Sequence, residues 1–258
     1  MDGNKIKSFF KDHYPNELAY EWDNVGLQIG TLNKSITGIL ITLDVTKEVV
    51  EEAIEKNCNL IIAHHPLVFK PLKHILTDAY KGKLIETIIK ADIALYVSHT
   101  NFDLAKSGMN DILSEKLGLK ATEILEYEDE THGIGRLGKI KPMPIEEAIR
   151  YIKAKLDIKQ ARLINKKPGK TIETVAISGG SGASHMFSAK QKGADLYITG
   201  DISYHQAHDM LQLGLSALDI GHYVEKHFIQ SLKTQLQAND IKTQIYTSKV
   251  DQDPFTFV

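Results

Sequence analysis

The residues of this chain best suited to chemistry are histidines and carboxylates that follow short apolar runs. Asn59–Ala63 (NLIIA) runs into His64-His65-Pro66, Ile93–Ser98 into His99-Thr100-Asn101-Phe102-Asp103, and Leu215–Asp219 is followed by Gly221-His222-Tyr223-Val224-Glu225. Imidazole nitrogens and carboxylate oxygens are the donor set of zinc, iron, manganese and cobalt sites, and ligand identity does not choose among those metals. Successive side chains of extended chain point to opposite sides, so His64 and His65 are expected to serve different ions. His222 and Glu225 stand three apart at an expected helix start, which puts them on one face, where a carboxylate can bridge two ions. Asp103 supplies a further oxygen. Three imidazoles and two carboxylates shared by two ions leave coordination positions for water or substrate, a catalytic count rather than a structural one. Any one of these histidines alone reads as a turn cap or a core hydrogen-bonding residue. Their joint occurrence at three strand ends carries the metal reading.

Such residues need a scaffold that gathers them. Short apolar runs alternating with amphipathic stretches predict βα units around mainly parallel sheets, whose ligands collect beyond the carboxyl ends of the strands. The first half has expected strands at Gly38–Leu43, Asn59–Ala63 and Ile93–Ser98, and helices near Lys47–Lys56, Lys81–Lys90 and Met109–Leu117. The second half has expected strands at Thr174–Ser178, Asp195–Thr199 and Leu215–Asp219, and helices near His185–Lys192, Tyr204–Leu213 and His222–Gln237. Between them, the acidic run Glu126–Glu130 and the segment Lys139–Pro144 read as connector and turn chemistry around a short strand at Gly133–Ile140. The expectation is an α/β protein of two linked lobes, residues 1–126 and 127–258, with a dinuclear metal site in the crevice between them.

Other polar residues are expected near that crevice. His99 and His205 are read as orienting or proton-transfer residues, with Asp201 and Tyr204 beside them. Trp22 and Asp23 read as packing and turn residues, and His13, His74, His132, His185, His208 and His227 as surface or core residues. Gly179-Gly180-Ser181-Gly182 has the composition of either a phosphate cradle or a tight strand-to-helix turn, and departs from a dinucleotide fingerprint because His185 replaces its last glycine. Pro168-Gly169-Lys170-Thr171 lacks the first glycine of a P-loop and reads as a loop.

Composition sets outer limits. With hydrophobic residues at 42% and charged residues at 25% of 258, the chain is of globular type, and a formal charge of -2 offers no field to gather nucleic acid or anionic lipid. Cys58 is the single cysteine, which excludes an internal disulfide and fits a reducing compartment. No signal-type or membrane-spanning apolar run is present, and the expected location is the cytoplasm.

Ala63-His64-His65-Pro66-Leu67, Ser98-His99-Thr100-Asn101-Phe102-Asp103, Thr199-Gly200-Asp201 with His205, and Gly221-His222-Tyr223-Val224-Glu225 resemble, in order, the motifs of the Nif-three-like proteins. These are also called GTP cyclohydrolase I type 2 homologues. Glu21-Trp22-Asp23-Asn24-Val25-Gly26-Leu27 is similar to the family's N-terminal signature, so the likeness runs over essentially the whole chain. The resemblance implies that His64 and Asp103 hold one ion, His65 and His222 the other, and that Glu225 bridges them. In some relatives the carboxylate falls four residues after the histidine rather than three. It also implies two α/β domains in the short form without an inserted domain, a ring-shaped homohexamer, and attack on the purine ring of GTP. The functional expectation is a two-metal hydrolase acting on a nucleotide or phosphoester. The alternative is a non-enzymatic protein that stores or delivers metal, or scaffolds a ring for partners.

Overall fold

The structure is a computed structural model that describes residues 1–165, 168–250 and 252–256. Contacts divide the chain into two compact units, Met1–Phe102 with Phe228–Pro254, and Asp103–His227 with the chain end from Phe255.

The first unit contains α1 (Asn4–His13), β1 (Gly26–Ile29), β2 (Gly38–Thr42), α2 (Lys47–Glu55), β3 (Leu60–Ala63), α3 (Tyr80–Lys90) and β4 (Ala94–Val97). The short α4 (Thr100–Leu104) leads out of it. Every residue of β2, β3 and β4 is buried, the pattern of strands covered on both faces. β3 lies between β2 and β4, parallel to both. α2 starts where the Thr46 side chain accepts the Val49 backbone N–H, satisfying one orphan donor of the first turn. Leu40, Ile61, Leu95, Val49 and Ile88 meet in the core that fixes the sheet under its helices.

The second unit runs through α5 (Met109–Leu117), β5 (Lys120–Tyr127), β6 (Gly133–Pro144), α6 (Ile145–Lys155), β7 (Arg162–Ile164), β8 (Thr171–Ile177), α7 (Met186–Gln191), β9 (Leu196–Thr199), α8 (Tyr204–Gln212) and β10 (Ser216–Asp219). Its sheet order is β5-β6-β8-β9-β10-β7. β8, β9 and β10 run parallel, whereas β5, β6 and β7 join antiparallel. A capping box between Ser203 and Gln206 starts α8.

The six strands read from apolar runs are present, as is the two-lobed α/β class. Two features depart from expectation. The second sheet is mixed rather than mainly parallel, because the segment read as a connector is a long hairpin whose turn is closed by the Glu128 and Asp129 backbone N–H groups donating to the His132 carbonyl. A cut between residues 126 and 127 would also fall inside β5, where Tyr127 pairs with Gly133. The chain instead returns to its first unit through α9 (His227–Ala238) and β11 (Gln244–Thr247), which adds in parallel to β2.

The return strand is structural. Ile245 is 4% exposed and faces Ile39 across the ladder. Ile245→Ala is expected to cost about 2–4 kcal/mol in denaturant unfolding, and unchanged stability would contradict this placement of β11.

Candidate functional site

Each unit positions its polar residues by the same device. In the first unit the backbone ladder continues past the strand ends, with the His64 N–H donating to the Thr42 carbonyl (3.3 Å) and the His65 N–H to the Leu43 carbonyl (2.9 Å). The His64 ring is wholly buried and its Nδ1 lies 2.8 Å from the Ser98 carbonyl oxygen. A carbonyl only accepts, so Nδ1 carries the proton and the lone pair resides on Nε2. His65 Nδ1 lies 3.0 Å from Asp44 Oδ1, which imposes the same tautomer. Ser98 follows β4 and Asp44 follows β2, so the adjacent histidines are anchored to the strands on opposite flanks of β3. The chain has left extended conformation at these two residues, however, and their rings lie side by side, 5.2 Å between centroids, rather than on opposite faces.

His99 completes this group. His64, His65 and His99 each offer a ligand atom within 4.8 Å of the others. His99 Nδ1 is 2.9 Å from both oxygens of Asp23, whose side chain is fully buried, and Thr100 donates to Asp23 Oδ2 from its backbone (3.1 Å) and its hydroxyl (2.6 Å). Burial by itself would raise the Asp23 pKa. The hydrogen bonds from His99 and Thr100 outweigh burial and bring it down to about 2. Asp23 is therefore the brace of His99, a role its place in an apparent turn concealed.

In the second unit the candidate ligands sit beyond β10. The residues His222–Lys226 form a 3-10 turn rather than the α-helical start expected, and in such a turn positions three apart eclipse. His222 Nε2 is accordingly 3.0 Å from Glu225 Oε2, while His222 Nδ1 is 2.8 Å from Asp201 Oδ2. Oxygen faces both ring nitrogens, an arrangement that a proton or a metal cation on Nε2 satisfies. Glu225 is only 3% exposed, and an oxygen of Asp103 lies within 4.8 Å of one of its own. Asp219, unremarked in the sequence, accepts the Gly221 N–H on Oδ1 and the Ile202 N–H on Oδ2, each at 3.0 Å, and so braces the loops that carry His222 and Asp201. The sequence carries a signal for Asp44 and Asp219, since each lies at the carboxyl end of a strand, as the candidate ligands do.

The glycine-rich loop after β8 serves this arrangement by close approach rather than as a dinucleotide fingerprint. A Cβ on Gly180, which has φ +58°, would stand 2.6 Å from Glu225 Oε1, and one on Gly200 would stand 2.8 Å from the Gly221 backbone. Only glycine lets three strand-end loops meet around a buried carboxylate. The buried Asn110 ties them to Asp103, donating to the Asp103 carbonyl (3.0 Å) and accepting the Gly179 N–H (3.0 Å).

His205 is exposed in the first turn of α8, its ring 5.5 Å from that of Tyr204, and it joins none of the metal-competent groups among the described residues. Of the remaining histidines, His227 faces the Leu156 carbonyl, and burial lowers its pKa to about 4. His185 pairs with Glu126 and His132 with Asp129. Pro168 and Gly169 lie in a turn. Among the described residues no helix is long and apolar enough to cross a membrane.

The fold and these groups define a two-lobed α/β protein with histidine and carboxylate clusters of the kind that can hold metal. A family model described as Duf34/NIF3 (NGG1p interacting factor 3) matches residues 1–254, and the chain belongs to that family. It is 44% identical over 239 residues to a Streptococcus pneumoniae protein named "GTP cyclohydrolase 1 type 2 homolog", covering 92% of this chain and 90% of that one. A Bacillus subtilis protein of the same name is 32% identical over 370 residues, covering 100% and 99% of the two chains. Among solved structures, a Bacillus cereus protein related to NIF3 superposes with TM-score 0.93 at 35% identity, covering 100% of this chain and 99% of that one. Reduced HcgD from Methanocaldococcus jannaschii superposes with TM-score 0.84 at 29% identity, covering 96% and 98%.

The Asp23 brace carries a signed pH dependence. Its pKa is depressed below the ordinary value of 3.8, so its stabilisation is complete above about pH 4 and is lost as pH falls towards 2. Asp23→Asn should be less stable than the wild type at neutral pH, with the difference narrowing as unfolding is measured at stepwise lower pH below about 4. A difference that grows on acidification would contradict the assignment.

Proposed function

We propose that the chain is a two-metal hydrolase, with His64 and Asp103 holding one divalent ion, His65 and His222 the other, and Glu225 bridging them. The observation that carries this reading is the matched orientation of His65 and His222, each tied through Nδ1 to an aspartate at the end of the neighbouring parallel strand. That arrangement is the usual support of a metal-ligating imidazole. Three imidazoles and two carboxylates exceed what one ion with an open position takes, which favours two. Zinc, iron, manganese or cobalt suits the donor set. Ions bound there supply Lewis-acid polarisation and acidify a coordinated water.

The chain's own residues do the rest. Asp23 fixes His99 with its proton on Nδ1, so His99 Nε2 is the atom placed to accept and return a proton during hydrolysis. His205 is a second proton-transfer residue in this reading, carried on an exposed side chain in the first turn of α8. The substrate class is a nucleotide or phosphoester, the setting is the cytoplasm, and the assembly is a homohexamer.

Elemental analysis of native protein should find close to two divalent ions per chain. Glu225→Gln should lose at least one of them, since two close cations then share less negative charge, and His205→Ala should keep both while losing turnover. If metal-replete wild type hydrolyses GTP, other nucleotides and simple phosphoesters no faster than Glu225→Gln, the hydrolase reading falls and metal storage or delivery replaces it. Light scattering should return a hexamer, and a particle of the 28.8 kDa chain mass at micromolar concentration would exclude the ring.

A further inference from the structure

Beside His99 the first unit displays an aromatic surface that no metal chemistry requires. Trp22 is 59% exposed although its ring is among the largest in the chain. It stacks on Tyr20, with centroids 5.5 Å apart and planes 21° from parallel, so one face is backed by a second ring. Phe69, itself 40% exposed, stands edge-on to it at 5.8 Å and 66°. His99 stands edge-on at 6.4 Å and 77°. Two rings therefore rise nearly perpendicular to a supported indole plane.

The position of this surface is held by hydrogen bonds on both sides. Trp22 immediately precedes Asp23, whose fully buried carboxylate takes hydrogen bonds from His99 and twice from Thr100. The Tyr20 N–H donates to Thr100 Oγ1 at 3.1 Å, so both members of the stack are pinned to the segment that carries His99. On the other side Asn24, next in the chain after Asp23, donates from its side chain to the Val68 carbonyl, adjacent to Phe69. Gln28 reaches the same residue, accepting the Val68 N–H at 3.0 Å and donating to its carbonyl at 3.1 Å. An exposed hydrophobic ring that merely tolerated solvent would need none of this bracing. A flat, rigid face of indole size, walled by an aromatic edge and by an imidazole with a directed Nε2, is complementary to a planar heteroaromatic ring with polar groups on its rim.

We propose that Tyr20, Trp22 and Phe69 form a stacking platform for the base of a purine nucleotide or nucleoside, holding its edge towards His99. This rests on the hydrolase reading for its choice of ligand and names the part of the substrate that the chain grips. Binding is by ring stacking, which every purine offers, and the imidazole supplies a polar contact at the rim.

Trp22 is the sole tryptophan of the chain, so intrinsic emission reports on the platform itself. GTP and guanosine should quench that emission saturably, whereas ribose 5-phosphate and inorganic triphosphate should not. In equilibrium dialysis Trp22→Ala should weaken guanosine and GTP by about tenfold, the ordinary effect of removing a base-stacking ring, while Trp22→Phe should stay within about threefold of the wild type. Phe69→Ala is a second variant for the case in which Trp22→Ala fails to fold, and it should weaken the same two ligands. Metal content should be unchanged in all three. The platform is refuted if guanosine and GTP leave the emission unchanged, if triphosphate quenches as well as GTP, or if Trp22→Ala binds guanosine as the wild type does. Stacking without turnover would sink the hydrolase and leave the platform, and metal-dependent turnover of non-nucleotide phosphoesters without stacking would do the reverse.

Discussion

A neutral imidazole has one lone pair, and the rest of this structure depends on which nitrogen carries it. At His64, His65 and His222 the Nδ1 atom is held against a carbonyl or carboxylate oxygen supplied by a neighbouring strand end. At His99 the same is done by a buried aspartate from a loop. Four rings are thereby turned to present Nε2, and each has lost the freedom to rotate before any ligand arrives. Orientation of this kind is commonly worth ten- to a hundredfold in metal affinity. It comes from backbone geometry, because parallel strands that end in register bring an aspartate just past the end of one strand beside a histidine just past the end of the next. Asp44 stands to His65, across β2 and β3, as Asp201 stands to His222, across β9 and β10.

The second unit shows what that costs in local conformation. Asp201 has φ +54° and Gly221 φ +74°, both in the left-handed region. A non-glycine residue there is strained and persists only where neighbours over-determine it. Here the neighbours are identifiable: His222 on the Asp201 carboxylate, and Asp219 with both oxygens committed to the two loops. Glycine at 180 and 200 removes the side chains that would keep the loops apart, and glycine at 221 permits its positive φ. The buried carboxylate of Glu225 is expensive to desolvate, and a proton or a metal cation on His222 Nε2, 3.0 Å away, offsets that cost.

The strands that position the site were legible because they are buried on both faces and so appear as apolar runs, LIIA at β3 and ALYV at β4 among them. Histidines just past such runs are conspicuous for the same reason. The elements that escaped are those whose patterns are mixed: β5, largely exposed at its start, β7 of three residues, and β11, whose partner lies two hundred residues earlier. Pairing across that distance has no local signature. Among site residues, the five candidate ligands could be read from type and spacing, but the braces could not be read as fully. Asp23 is coupled to His99 across 76 positions and Asp44 to His65 across 21, and only folding brings them together. At His222 a three-residue spacing fits an α-helix and a 3-10 turn alike, and the chain takes the turn.

The proposed metal site requires Nε2 ligation by rings whose Nδ1 is already engaged. Anomalous difference maps from crystals of the native protein, recorded on either side of the absorption edge of the bound metal, test it most directly. The expected result is two peaks per chain, one within about 2.0–2.2 Å of Nε2 of both His65 and His222 and the other at that distance from Nε2 of His64, with Nδ1 of His65 and His222 still facing Asp44 and Asp201. Ligation through Nδ1, or maps without a peak at these rings in metal-replete crystals, would contradict it.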